Sequence, residues 1–239
     1  NLSEGKLDEV IETIREYEEV FKENSISHYE IVATSAFRDT ANSEDARRYI
    51  ETAINHPLRV ISGLEEAKLI RFHPKSNTGK NKIFVDLGGG STEFFIRNEE
   101  ETVIRSFQLG AVRNMLKKDE KEEWQRLEEW LQSIKSKKRL IGIGGNIRSF
   151  LSSQGSKEMS LNEFVKKSER LSKLATEEKI NKYKFSPDRA DVIDHALQIF
   201  KFIAEQLEIQ TITSTKWGIS DSIAIKLFHE LYSSKVTIS

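Results

Sequence analysis

The sequence predicts an α/β protein. Helical and strand-like patterns alternate along most of the chain, and two apolar strand-like runs each end in a glycine cluster. Composition agrees: 37% of the 239 residues are hydrophobic and 31% charged, enough apolar matter for a core beneath a well-solvated surface. That length fits one large domain or two small ones.

The elements follow in order. Val10, Ile11, Ile14, Tyr17 and Phe21 fall on one helical stripe set in Glu and Lys. Residues 29–34 form a short β-rich run that leads into a polar turn over 35–42. Ser43 is positioned to cap a helix carrying Ala46, Tyr49, Ile50 and Ala53. Pro57 ends that helix, and 58–61 reads as another strand. A further helix opens at 62–67, where Ser62 and Glu65 have capping-box spacing. The polar stretch 72–82, with Pro74, Asn77 and Gly79, is the expected connection between domains. Strands are then predicted at 83–87, 92–97 and 103–107. Trp124, Leu127, Leu131 and Ile134 line one face of a charged helix, on which Trp124 and Trp130 read as packing residues. A strand at 140–143 ends in Gly144-Gly145 with a helix behind it. The remainder reads as mostly helical, with a long helix from Pro187 to Leu207, a strand at 211–213 and a last helix at 221–232.

Several function classes are disfavoured. The formal charge of −1 argues against a dedicated nucleic-acid binder. Without cysteine there are no disulfides, thiolate metal sites or cysteine nucleophiles. No apolar run approaches the roughly 18 residues of a membrane span, and no signal segment is recognisable. A cytoplasmic protein is the simplest expectation. The five histidines, at 28, 56, 73, 195 and 229, show no metal-ligand spacing.

Chemistry concentrates in Asp86-Leu87-Gly88-Gly89-Gly90-Ser91-Thr92-Glu93. A strand delivers an aspartate to its end, and the glycines let backbone N–H groups approach a phosphate closely. Ser91 and Thr92 add hydroxyls. Asp86 and Glu93 are expected to face each other across a tight hairpin, where two carboxylates could hold Mg²⁺ or polarise a water. Glycine turns are common in themselves; acids on both sides plus Ser-Thr favour phosphate. Gly144-Gly145-Asn146 forms a second glycine turn before a helix, an arrangement suited to anions. Arg38 follows a strand and could clamp a phosphate, although in isolation it reads as a surface arginine paired with Asp39. Of Glu65 and Glu66 one helix direction can bury only one, and periodicity leaves open which.

These segments resemble the exopolyphosphatase / guanosine pentaphosphate phosphohydrolase family of the actin, sugar-kinase and heat-shock-chaperone ATPase superfamily. The resemblance runs through residues 32–38, 61–70, 85–93, 109–113, 143–145, 186–193 and, more faintly, 218–222. It implies two ribonuclease-H-like, actin-like ATPase domains with a central cleft. Residues 1–80 would form domain I, joined by the C-terminal helix over 221–239, and 81–220 domain II. It further implies Arg38 as a phosphate-binding arginine, Glu66 as the base for the attacking water, and Asp86 and Glu93 as acids that position metal or water. Gly88, Gly89, Gly90, Ser91, Thr92, Gly144, Gly145 and Asn146 would hold phosphate. Asn146 stands where the family usually has Thr or Ser, and its amide can still donate. The family's opening strand and Asp-x-Gly-Ser-Asn loop have no counterpart in this sequence, so the first domain is expected to lack its N-terminal strands. Release of terminal phosphate from polyphosphate or guanosine pentaphosphate with Mg²⁺ is the expected activity. As members are often dimers, a homodimer is expected too. The rival reading is a nucleotide- or polyphosphate-binding module without turnover; a phosphate-transferring kinase of the same superfamily ranks last.

Overall fold

A computed structural model describes residues 1–77, 81–97, 101–135 and 137–232. The chain divides into two compact units, Asn1–Ser62 with the chain from Ile223 onward, and Gly63–Ser222.

In the first unit, helix α1 (Glu4–Glu23) is capped by Ser3, whose side chain accepts from Lys6 N–H. Strand β1 (Ile31–Ala33), helix α2 (Ser35–Arg38), helix α3 (Ser43–Ile54) and strand β2 (Leu58–Val60) follow. The two strands pair in parallel, Ile31 opposite Leu58. Leu7 and Ile11 pack with Ala46, Ile50, Ile54 and Leu58. Only the N-terminal half of the α1 stripe is buried, since Tyr17 is exposed and Phe21 half-buried against Tyr29, 4.9 Å between ring centroids. The expected turn over 35–42 contains one helical turn, because Phe37 N–H and Arg38 N–H both donate to Thr34 O. Ser43 is the first helical residue rather than the cap, a place taken by Asn42.

The second unit opens with helix α4 (Gly63–Leu69) and a 3₁₀ turn (Ile70–Phe72). Next come strands β3 (Lys82–Leu87), β4 (Thr92–Arg97) and β5 (Thr102–Phe107), then helices α5 (Ala111–Met115) and α6 (Lys121–Ser133). Strand β6 (Arg139–Ile143), helix α7 (Gly145–Ser153), strand β7 (Glu158–Ser160) and helices α8 (Leu161–Ser172), α9 (Thr176–Tyr183) and α10 (Pro187–Gln206) lead to strand β8 (Thr211–Ser214). Helix α11 (Ile219–Tyr232) begins in this unit and continues in the first. The sequence placed a boundary near residue 80, whereas compactness groups α4 and the described part of 72–82 with the six-stranded sheet. Gly79 of that stretch, and 233–239 of the C-terminal helix expectation, lie outside the described residues.

The sheet runs β5-β4-β3-β6-β8-β7, with β3, β6 and β8 parallel and the others antiparallel to their neighbours. Side chains alternate across it. Ile83, Val85 and Leu87 join a large core with Leu127, Ile147, Phe150 and the α10 residues Ile193, Leu197 and Phe200. Phe84, from the other face, packs with Ile70, Phe95, Ile141 and Ile143. A strand buried on both faces reads as a continuous apolar run, as β3 does. Trp124 packs edge-on against Phe202, consistent with its packing role. Edge strand β7 was not expected from the sequence.

On the second face, His73 is buried beside Trp217. Its Nδ1 accepts from Lys75 N–H, and its Nε2 lies 2.9 Å from Thr215 Oγ1. Burial, with the charges of Lys75 and Lys82, pushes its pKa down to about 4.

Candidate functional site

The site is built on one rung of the sheet. Asp86 is the Cα partner of Glu93 on β4 and of Ile143 on β6. Both glycine turns therefore leave the sheet side by side, one after Leu87 and one after Ile143. Gly144, with φ of +95°, makes the turn into α7, a backbone conformation that side chains rarely adopt.

The first turn is braced by α5. Ala111 N–H donates to Gly88 O (3.0 Å), Val112 and Arg113 N–H to Gly89 O (2.8 and 3.0 Å), and Arg113 Nε to Gly90 O (2.8 Å). A trans peptide sets its N–H opposite its C=O. The N–H groups of Gly89 and Gly90 are thus directed away from these α5 donors, the orientation that anion binding requires. Thr92 does not contribute its hydroxyl to this loop: it is fully buried, and Oγ1 donates to Leu109 O. Ser91, also buried, hydrogen-bonds the Glu93 carboxylate.

Asp86, Gly88, Gly89, Gly144, Gly145 and Asn146 line one cavity of about 580 Å³. Its other walls are α5, with Ala111, Val112 and Met115, and the start of α10, with Asp188, Arg189 and Asp191. Arg189 lies against Gly145, and its Nη1 donates to Oδ1 of the buried Asn146. Burial, with Arg148 nearby, pulls the Arg189 pKa below its ordinary value, while Asp188 acts in the opposite sense. A cation so placed favours an incoming anion.

Two further carboxylates, Glu66 and Glu93, couple to the cavity-lining Asp86. Glu66 is buried on α4 and Glu65 exposed, so the helix does bury only one of the pair. Burial pushes the Asp86 pKa up to about 7, with the charge of Glu66 adding to it. Glu93 is pushed to about 8 by burial, with Glu66 and Asp86 adding, while hydrogen bonds from Ser91 and Ser106 pull it back. Among the described residues no group of three or more His, Asp or Glu forms a ready-made metal cage.

The structure thus brings Glu66, Asp86, Glu93, both glycine turns and Asn146 into one unit. Arg38 belongs to the other unit, where its Nη1 donates to Ile61 O (2.6 Å). Sequence reasoning gave no role to Arg189, although Ser186-Pro187-Asp188-Arg189, a charge beside a helix start, is the signal that could have marked it.

The model of the Ppx/GppA phosphatase family matches residues 1–230. The crystal structure of the Aquifex aeolicus member of that family is 21% identical, with a TM-score of 0.77, covering 97% of this chain and 84% of its own. An exopolyphosphatase from Cytophaga hutchinsonii is 19% identical, with a TM-score of 0.82, covering 95% and 83%. An exopolyphosphatase-like protein is 21% identical at a TM-score of 0.79, covering 96% and 86%. At such identities the structures speak for the fold, an α/β architecture of actin-like ATPase type, as the resemblance implied. With the family matched over nearly its whole length, this chain belongs to the Ppx/GppA phosphatase family and is a phosphoanhydride hydrolase.

Proposed function

We propose that this protein releases the terminal phosphate of inorganic polyphosphate or guanosine pentaphosphate by attack of water. The observation that carries the reading is the single rung at Asp86, which launches two glycine turns side by side into one cavity. Two such turns suit a polyanion, whose successive phosphates need donors at more than one point.

In this reading the N–H groups of the first turn and of the α7 N-terminus bind phosphate oxygens, joined by Arg189. Glu66 orients the attacking water and takes its proton. The water oxygen bonds to the terminal phosphorus as the bridging P–O bond breaks, and a substrate one phosphate shorter leaves. Fixed donors stabilise the charge on the transferring group without reorganising.

Magnesium fits the residues present. Burial holds the protons of Asp86 and Glu93 above the usual carboxylate range, and the charge of Glu66 adds at both and that of Asp86 at Glu93, a repulsion that a cation relieves. Mg²⁺ needs only one or two carboxylates when substrate oxygens complete its shell. Asp86 and Glu93 would hold it, and it would supply charge neutralisation on the phosphates.

Glu66→Gln tests the reading. Loss of a general base lowers turnover by ~100-fold or more. Phosphate release from polyphosphate near the wild-type rate would overturn the assignment of the base. Phosphate binding without any release, in the unmutated chain, would point instead to a module without turnover.

A further inference from the structure

Ser106 sits opposite Glu93 in the antiparallel β4–β5 pair, so their side chains share one face of the sheet. Its Oγ donates to Glu93 Oε1 at 2.9 Å. Above this pair passes the start of α4. A Cβ on Gly63 would lie 2.0 Å from Ser106 Oγ and 3.1 Å from Glu93 Oε1, so the backbone of α4 presses directly on the hydrogen bond. Arg105, the preceding residue, is exposed, and its Nη1 donates to Ile104 O.

We propose that Ser106 is a positioning residue for phosphate release: its hydroxyl, seated beneath Gly63, fixes the Glu93 carboxylate in place beside Glu66 and Asp86. Every rotatable bond from the Glu93 backbone to its carboxylate plane, χ1 to χ3, has to be fixed for the oxygens to stay in place. Inside a core the side chain keeps one arrangement only if its oxygens are held. Ser91, its other hydroxyl donor, comes from the glycine turn of the same hairpin. Ser106 comes from the neighbouring strand and touches the helix that carries Glu66. Glu66 follows Gly63 on the same helix with only Leu64 and Glu65 between them, so the close approach at Gly63 also sets how deep Glu66 is presented. Gly63, Ser106 and Glu93 therefore act as one clasp, which registers the base on α4 against the acid on β4. Glycine is required at its centre because any side chain would displace the hydroxyl.

The inference rests on the reading that Glu93 serves the reaction, and a double-mutant cycle separates the two. Phosphate release from inorganic polyphosphate is measured with the full chain for wild type, Ser106→Ala, Glu93→Gln and the double variant, beside thermal unfolding of each. A buried hydrogen bond has the strength to make Ser106→Ala lower kcat roughly tenfold, with KM and melting temperature nearly unchanged. In the Glu93→Gln background the same substitution is expected to cost almost nothing further. Equal losses in both backgrounds, a change confined to KM, or an unaltered kcat in Ser106→Ala would each overturn the positioning role. Wild-type turnover by Glu93→Gln would remove the reading of Glu93 itself, and the inference with it.

Discussion

Asp86 and Glu93 are direct partners across the β3–β4 ladder, two acids held opposite each other on neighbouring strands of a buried sheet. Their values of about 7 and about 8 lie above the ordinary 3.8 and 4.5. The folded state therefore binds these protons more tightly than the unfolded chain. Stability from this source is complete below about pH 4 and is lost as pH rises toward 8. Asp86→Asn is expected to raise the melting temperature at pH 8, to flatten its decline between pH 5 and 8, and to lose activity. Melting curves across that range decide it, and an unchanged slope would refute the account.

Gly144 has φ of +95° and ψ of 171°, a region open essentially to glycine alone. Gly144→Ala should cost about 1–3 kcal/mol, the usual range for such backbone strain. It should also lower turnover, because the α7 N-terminus would shift. Urea unfolding and phosphate release, measured on the same preparation, test both parts.

Arg189 joins the cavity to the buried Asn146 amide. Arg189→Ala is expected to raise KM for polyphosphate roughly tenfold or more, the scale of a charged hydrogen bond. Arg189→Lys should recover part of the affinity, since a point charge replaces a planar fork. Equal KM values in all three proteins would exclude contact with substrate.

His73 makes the opposite pH prediction. Its pKa of about 4 lies below the ordinary 6.5, so the folded state favours the neutral ring. That contribution is complete above about pH 6.5 and is lost as pH falls toward 4. His73→Gln should make melting temperature less sensitive to pH between 6.5 and 4. A slope unchanged from wild type would show that another group sets acid sensitivity.

Much of this was legible in the sequence, where chemistry and local pattern coincide. The β3 run of Ile83, Phe84 and Val85 announces a doubly buried strand, and the glycines after Asp86 announce the turn into β4. The segments that escaped were too short to show a period. Ser35-Ala36-Phe37-Arg38 is a single helical turn, and Glu158-Met159-Ser160 pairs only because β8 offers it an open edge. Thr92 reads as a loop hydroxyl until the fold brings Leu109 O beside it. Arg189 is the clearest case. Between Asp188 and Asp191 it resembles any solvated helix charge, and only the approach of α10 to α7 gives it Asn146 as a partner. Glu66 was separated from Glu65 by resemblance, and its burial on α4 is a fact of packing that adjacency in sequence could not supply.

The shared rung at Asp86 has a further consequence. Because both glycine turns rise from neighbouring strands at the same height, their separation is inherited from the backbone ladder, a spacing of about 4.8 Å. The sheet thus serves as a fixed gauge for the distance between the two turns. Side-chain replacement along the rim can retune grip and charge, but not that gauge; only a slip in strand register would change it.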